Sequence, residues 1–454
     1  MTKIPFLLLL ILAFLSNLIY SELRFVFEMF RHGARGPWTR LDKNNLDIFG
    51  EEWSGEGELT GVGMRQHYLL GHRNRIKYDG YLSQSYDPRE VFIVSTDVNR
   101  TIMSAYSQLQ GLYPNGTGPA LNTFQISVAI PPTNDTDFLA EKEKLGVDAL
   151  PNQMQVLPIH LFDKSAHRFG NHDSINCPSV GPLVEKNKQM QIFRDYYIKF
   201  YATWGEKLKT ALNVSGEDFF FNYDNVYSIC DTFVSDYTEG HNLTILTNAG
   251  IDLDLFNKTA IDFMYLDILY GGFGDKDSVI AKVSISPTAF DILTWMDKRI
   301  SLDGEKLGYY GYGSNKMVMY SAHDTNMAAI QVYLQSVFNK TQLYYTPFAS
   351  SIFFELHRKD NTTTNLEDYY VTVIYNDIYL LNMTYNDFSS GVKKNSFDDS
   401  YIDDFCKFDK KVNSNPLLIS TIGLGVLSFG LLAYVVFTCF KKVKETPSGG
   451  YNNI

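Results

Sequence analysis

Four cysteines in 454 residues, none spaced as CxxC, and no HExxH sequence leave neither a zinc site nor a dithiol redox centre to build on. Basic residues are in the minority too: 40 Lys and Arg against 51 Asp and Glu give a net charge of −11. A nucleic-acid partner would want a basic face, so that class is set aside. No segment repeats at a fixed period, and no long low-complexity tract interrupts the body, which excludes solenoids and propellers. The expectation is chemistry without a cofactor or metal, carried on a globular body whose 45% hydrophobic content is ordinary.

Long apolar runs occur at the two ends. Residues 1–21 begin with Lys3, pass through PFLLLLILAFL and close on Ser21. They read as a signal peptide, with an uncleaved anchor as the alternative. Residues 416–440 carry no charged side chain, a stretch long enough to span a bilayer with some tilt. Lys441, Lys442 and Lys444 on one flank are nearly matched by Lys407, Lys410 and Lys411 on the other. Orientation therefore follows from the signal peptide, giving a type I membrane protein with a lumenal or extracellular body, a juxtamembrane segment at 407–415 and a cytosolic tail at 441–454. Sequons beginning at Asn115, Asn134, Asn213, Asn242, Asn257, Asn339, Asn361 and Asn382 all fall between the apolar runs and agree with secretory passage. Cys177, Cys230 and Cys406 lie in that body and Cys439 in the apolar run. An oxidising compartment then allows one bridge and leaves one thiol over.

What the body does have is a crowded stretch, FEMFRHGARGP, at residues 27–37. Phe25, Val26, Phe27, Met29 and Phe30 give residues 23–30 the aromatic and β-branched content of a buried strand. Arg31, His32 and Arg35 fall where that strand ends. An imidazole between two guanidinium groups has its protonated form disfavoured by like charge, unless an anion is also present. The group reads as a receiver of phosphate. Residues 60–78 then read as mostly helical. A second short apolar strand, 91–94, ends on Ser95, Thr96 and Asp97, with Arg100 at the turn. Ile102, Ala105, Leu109 and Leu112 follow at helical spacing until Pro114. The pattern recurs in KMVMYSAHDTN, where a strand at 317–320 leads to His323 and Asp324 and then to a helical face of Ile330, Leu334 and Val337. Three strands with Arg, His or Asp in the following loops match the rule that α/β sheets carry their ligand site beyond the carboxyl ends of strands. Between the second and third, about 140–289, the chain reads as a mainly helical insertion.

These motifs resemble those of the histidine acid phosphatase family. FVFEMFRHGARGP resembles its RHGxRxP signature, STDVNRTIMSA its second arginine segment and SAHD its distal His-Asp pair, while GELTGVGMRQH resembles the stretch between the first two. The resemblance spans residues 23 to about 406. It implies an α/β fold with a mixed central sheet flanked by helices and a smaller helical inserted domain, to which the sequence adds one C-terminal transmembrane helix. The phosphatase domain would run over 22–139 and 290–406. It also implies that His32 attacks phosphorus to give a phosphohistidine, that Arg31, Arg35, Arg100 and His323 bind the phosphate oxygens, and that Asp324, as a carboxylic acid, protonates the departing ester oxygen, which favours an acidic optimum. A phosphomonoester substrate follows. Alternatives are an inositol-polyphosphate or lipid-phosphate phosphatase on the same fold, or, from another class, a binding ectodomain that lost turnover.

Further expectations depend on the same resemblance. Cys177 in NCP resembles a cysteine that pairs with one near the end of the body, implying a Cys177–Cys406 bridge and a free Cys230. Asn99 stands where the family usually has an acid and creates a sequon beside Arg100; a glycan there would block the pocket, so the expectation is that it is empty. Seven further histidines, His67, His72, His160, His167, His172, His241 and His357, carry no convergent motif and read as structural. Tyr451 to Ile454 forms a YxxΦ pattern after Gly450, resembling the sorting tails of lysosomal membrane glycoproteins, with a plain polar tail as the alternative. The expected location is a lysosomal or endosomal membrane, or else the plasma membrane, with a sorting adaptor on the tail. Relatives in the family often pair, which makes a homodimer an open expectation.

Overall fold

The computed structural model describes residues 22–38, 47–53, 55–132, 138–162, 177–214, 218–273, 279–302, 315–339, 342–359 and 365–406. The expected signal peptide, transmembrane run, sorting residues Tyr451 and Ile454, and sequons Asn134 and Asn361 lie outside them. Among the described residues, no helix is long and apolar enough to cross a membrane.

Seven strands form one mixed sheet in the order β3-β2-β4-β1-β5-β6-β7. They are β1 (Glu22–Arg31), β2 (Val91–Ser95), β3 (His160–Leu161), β4 (Met317–Ala322), β5 (Ser351–Arg358), β6 (Tyr369–Tyr375) and β7 (Ile378–Thr384). The first four run parallel, and β5, β6 and β7 add on as an antiparallel flank. β1 sits in the middle, so both its faces must be apolar. Phe25, Phe27 and Met29 face one core and Val26 and Phe30 the other. The first core is covered by helices α7 (Val279–Ser301) and α8 (Asp324–Phe338), the second by α1 (Gly61–Lys77) and α2 (Asn99–Leu112). The alternation along β1 and the 3.6-residue repeat in α2 are the local causes of this layering.

The expected helical span, 140–289, divides between two cores. Helices α4 (Gln191–Phe200), α5 (Tyr223–Glu239) and α6 (Leu253–Leu266) close around Phe193, Phe200, Trp204, Phe233, Phe256 and Phe263. Val180 of α3 (Val180–Lys188), Ile268, Phe273 and the apolar face of α7 pack with the sheet instead. Two helices, α9 (Tyr385–Asn395) and α10 (Asp399–Cys406), close the body. Cys406 at the end of α10 is bridged to Cys177, and Cys230 is a buried free thiol. That bridge closes a loop spanning 229 positions, tying the last helix to the region just before α3.

Register brings the parallel strand ends level. Arg31 pairs with Ala322, so His32 and His323 leave the sheet side by side, and Ser95 pairs with Ser321, which sets Thr96 level with Ala322, one residue before His323. The backbone continues the ladder past the strands: His32 N donates to Ala322 O at 3.0 Å and Thr96 N to Ser321 O at 3.1 Å. Gly33 is needed at the next step because α1 crosses the loop with no room for a side chain. A Cβ on Gly33 would come within 2.4 Å of Gly63 O.

Candidate active site

His32 is 1% exposed, and its placement is fixed from three sides. Its N–H is bound by β4, its carbonyl accepts from Ala349 N at 3.1 Å, and its Nδ1 lies 2.8 Å from Gly33 O. A carbonyl can only accept, so Nδ1 carries the proton and Nε2 keeps the lone pair. Burial, with Arg31, Arg100 and Arg35 adding like charge, holds the imidazole well below its ordinary pKa. The ring therefore keeps its neutral form, basic at one nitrogen, to lower pH than an ordinary imidazole does. His67 sits beneath it, with Nε2 3.1 Å from Arg31 O and Nδ1 3.0 Å from Gln108 Oε1. This agrees with a structural reading of His67 and gives it a positioning task.

The three arginines arrive from two strand ends. Arg31 donates through Nη1 to Thr346 O at 2.6 Å, places Nη2 2.7 Å from Asp324 Oδ2 and stacks its guanidinium 4.3 Å from the Phe348 ring centroid. Arg35 forks onto Asp231, Nη2 to Oδ1 at 2.8 Å and Nη1 to Oδ2 at 3.2 Å. Burial alone would depress its pKa, but the Asp231 carboxylate outweighs burial and raises it. Arg100 lies over the Trp38 ring at 4.9 Å and directs Nη2 toward His323 Nδ1 at 3.4 Å. Burial and then Arg35 lower Arg100 to about 10, which still leaves it cationic. Among the described residues, the Nε–H groups of Arg31, Arg35 and Arg100 are buried with no hydrogen-bond acceptor. Buried donors without acceptors are costly, and three on converging guanidiniums define a place for an anion.

His323 and Asp324 occupy the turn from β4 into α8. His323 Nε2 is 3.0 Å from Thr96 Oγ1, and its ring centroid is 5.6 Å from that of His32. Asp324 Oδ1 accepts from Thr325 N at 2.9 Å. Burial pushes its carboxyl upward, but Arg31, Arg35, His323 and the Thr325 N–H prevail and hold it below the ordinary carboxylate range. As the side chains stand, Asp324 is ionised and paired. The sequence-based picture of a carboxylic acid thus needs something to neutralise Arg31 and Arg35 first.

All six motif residues, Arg31, His32, Arg35, Arg100, His323 and Asp324, meet at the carboxyl ends of β1, β2 and β4. Thr96, read only as the end of the second strand, and Asp231, Trp38, Thr346 and Phe348, which the motifs do not include, also belong to the site, each through a fold-made contact. Asp231 reaches in from α5 to accept both Arg35 and the Trp38 backbone N–H, the latter at 2.7 Å. Asn99, the first residue of α2, is exposed and donates its side-chain amide to Glu58 Oε1 at 3.0 Å.

A neutral imidazole among buried arginines at the ends of parallel strands defines a phosphoryl-transfer type of site. Residues 22–376 match the histidine phosphatase superfamily (branch 2), and the chain belongs to that family. It is 30% identical over 353 residues to the lysosomal acid phosphatase of Xenopus laevis, covering 77% of this chain and 69% of that one. It is 29% identical over 366 residues to the prostatic acid phosphatase of Rattus norvegicus, covering 80% of this chain and 82% of that one. Among solved structures, the phytase from Citrobacter braakii superposes with a TM-score of 0.54 at 14% identity, over 85% of this chain and 99% of that one, a likeness of fold.

Removing one partner of the buried Arg35–Asp231 pair leaves an uncompensated charge in a dry site. Asp231→Ala should lower unfolding stability by about 3–5 kcal/mol, measured by urea denaturation. A loss under about 1 kcal/mol would show that the pair is effectively solvated.

Proposed function

We propose that the protein is an acid phosphatase that hydrolyses phosphomonoesters through a phosphohistidine on His32. The observation that carries this reading is the neutral His32 ring, locked by Gly33 O with its Nε2 lone pair free of a proton, beside three arginines whose Nε donors lack acceptors among the described residues. The ester phosphate settles on Arg31, Arg35 and Arg100, with His323 as a further donor. Nε2 forms a bond to phosphorus as the P–O bond to the alcohol breaks. The positive charge left on the ring is shared through Nδ1–H with Gly33 O.

The alkoxide oxygen takes a proton from Asp324. Phosphate charge on Arg31 and Arg35 cancels two of the influences that hold this carboxyl low, so substrate binding itself raises the proton affinity of the acid. In the second half, Asp324 as a carboxylate accepts a proton from water while the water oxygen bonds to phosphorus. The P–N bond then breaks, returning its electron pair to Nε2. Activity is retained in acid because His32 stays neutral there, and it falls at higher pH as Asp324 loses the proton it must donate.

The body works in a lysosomal or endosomal lumen in this reading, anchored as a type I protein through 416–440 with the tail at 441–454 on the cytosolic side. Support comes from the relatives' names and the sequons. Asn99 stays unglycosylated because its amide binds Glu58 and a glycan would crowd Arg100.

Two experiments test these readings. Replacing Asp324 by Ala should slow single-turnover release of the alcohol from an alkyl phosphate by about 10²–10⁴-fold, but release of 4-nitrophenol from 4-nitrophenyl phosphate by under about tenfold, since a good leaving group needs little protonation; the later hydrolysis of the phosphohistidine is slowed alike for both. His32→Ala should abolish both. Equal slowing of alcohol release from the two substrates by Asp324→Ala would remove its role as the acid. In cells, Tyr451→Ala should accumulate at the surface, and an unchanged distribution would refute the sorting reading.

A further inference from the structure

A cleft of about 450 Å³ opens beside Thr325, the residue after Asp324, and no step of the hydrolysis above uses its side chains. Its walls come from α3, the start of α5 and the π-helical turn Asp267–Phe273. Single π turns are costly and concentrate at functional sites. This one turns Asp267 into the cleft, with Val184, Ile268 and Phe273 supplying apolar wall.

Lys188, the last residue of α3, also lines the cleft and acts on Asp267 by charge. Its Nζ lies 3.9 Å from the Tyr223 ring centroid and 3.7 Å from Glu185 Oε1. The Glu185 side chain is 70% exposed against 26% for Lys188, so the glutamate screens this charge only weakly. The cleft therefore offers one partly desolvated cation, two carboxyls, Asp267 and the more exposed Glu185, and apolar wall, beside Thr325, which follows the residue proposed to protonate the alcohol.

We propose that this cleft is the leaving-group subsite and that it takes phosphomonoesters whose alcohol half carries a second anionic group, which Lys188 receives. The inference rests on the phosphatase reading above and adds the substrate class. Asp267 governs when the lysine is available. Burial raises its carboxyl to about 7, against the opposing pull of Lys188 and with the help of Asp324. Tyr197 from α4 faces Asp267 as a neutral hydroxyl, its pKa raised by burial and by that carboxyl, and Tyr223 and Glu185 line the cleft. Below about pH 7, Asp267 is uncharged and Lys188, held only by the exposed Glu185, can turn to a substrate anion. Above it, Asp267 is charged, competes for the lysine and repels the incoming anion. Selectivity for a doubly anionic substrate is thus a property of the acidic range, lost as pH rises.

The test compares 4-(2-carboxyethyl)phenyl phosphate with its carboxamide counterpart on the full-length protein, two esters with nearly the same phenol leaving group. Wild type should favour the carboxylate in kcat/KM by about fivefold at about pH 5, the scale of a half-exposed ion pair, and lose that preference at about pH 8. Lys188→Met should erase the preference at the lower pH, and Asp267→Asn should preserve it at the higher. A ratio that ignores Lys188→Met, or an Asp267→Asn protein that loses preference with pH as wild type does, overturns the proposal. If wild type hydrolyses neither ester, the phosphatase reading itself fails, which is a separate outcome.

Discussion

Burying three guanidinium groups around one imidazole is the constraint on which the rest of this structure depends. Each cation withdrawn from water costs several kcal/mol unless a partner is supplied, and the chain supplies them from far away. Asp231 comes from α5 to hold Arg35, Asp324 from the start of α8 to face Arg31, and the Phe348 and Trp38 rings cover two guanidinium faces. These partners neutralise part of the positive charge and leave the Nε donors without acceptors among the described residues. The site is thereby stable enough to fold and still short of one anion.

The same constraint explains the topology around it. Neighbouring parallel strands, β2, β4 and β1, deliver Thr96, His323 and His32 within one residue of the same level, because the ladder hydrogen bonds continue one residue past the ends of β1 and β2. Rigid placement of this kind lets the site act by charge and position, which is most of what phosphoryl transfer requires. Two helices between β3 and β4 add to it: α5 contributes Asp231 to the phosphate side and, on the proposal above, α3 contributes Lys188 to the alcohol side. Two separately packed helices would then complete the catalytic charge balance and select the substrate.

Local features of this arrangement were legible in the sequence. Strands β1, β2 and β4, the helices that follow them and the six motif residues all follow from apolar periodicity and short motifs, because each is decided within about ten residues. Strands β5, β6 and β7 were not read, although SIFFELHR and YYVTVIY are rich in strand formers; their place is set by pairing with β1 and with each other. Asp231, 196 residues from Arg35, and the Phe348 contact to Arg31 had no local signature. The Cys177–Cys406 bridge followed from family resemblance, since the three cysteines of the body do not choose a pairing by themselves. Asp324 shows the opposite limit: its chemistry was legible, but its ionised pairing with Arg31 is a product of the folded electrostatics.

The central claim is that His32 carries the phosphoryl group. The most direct measurement is a rapid quench into base during turnover by Asp324→Asn protein, whose intermediate should accumulate, followed by peptide mass mapping. One phosphoryl group on the His32 peptide, absent when His32 is also replaced, is the predicted result. Continued turnover with no phosphorylated peptide, or with phosphate on another residue, would contradict the account.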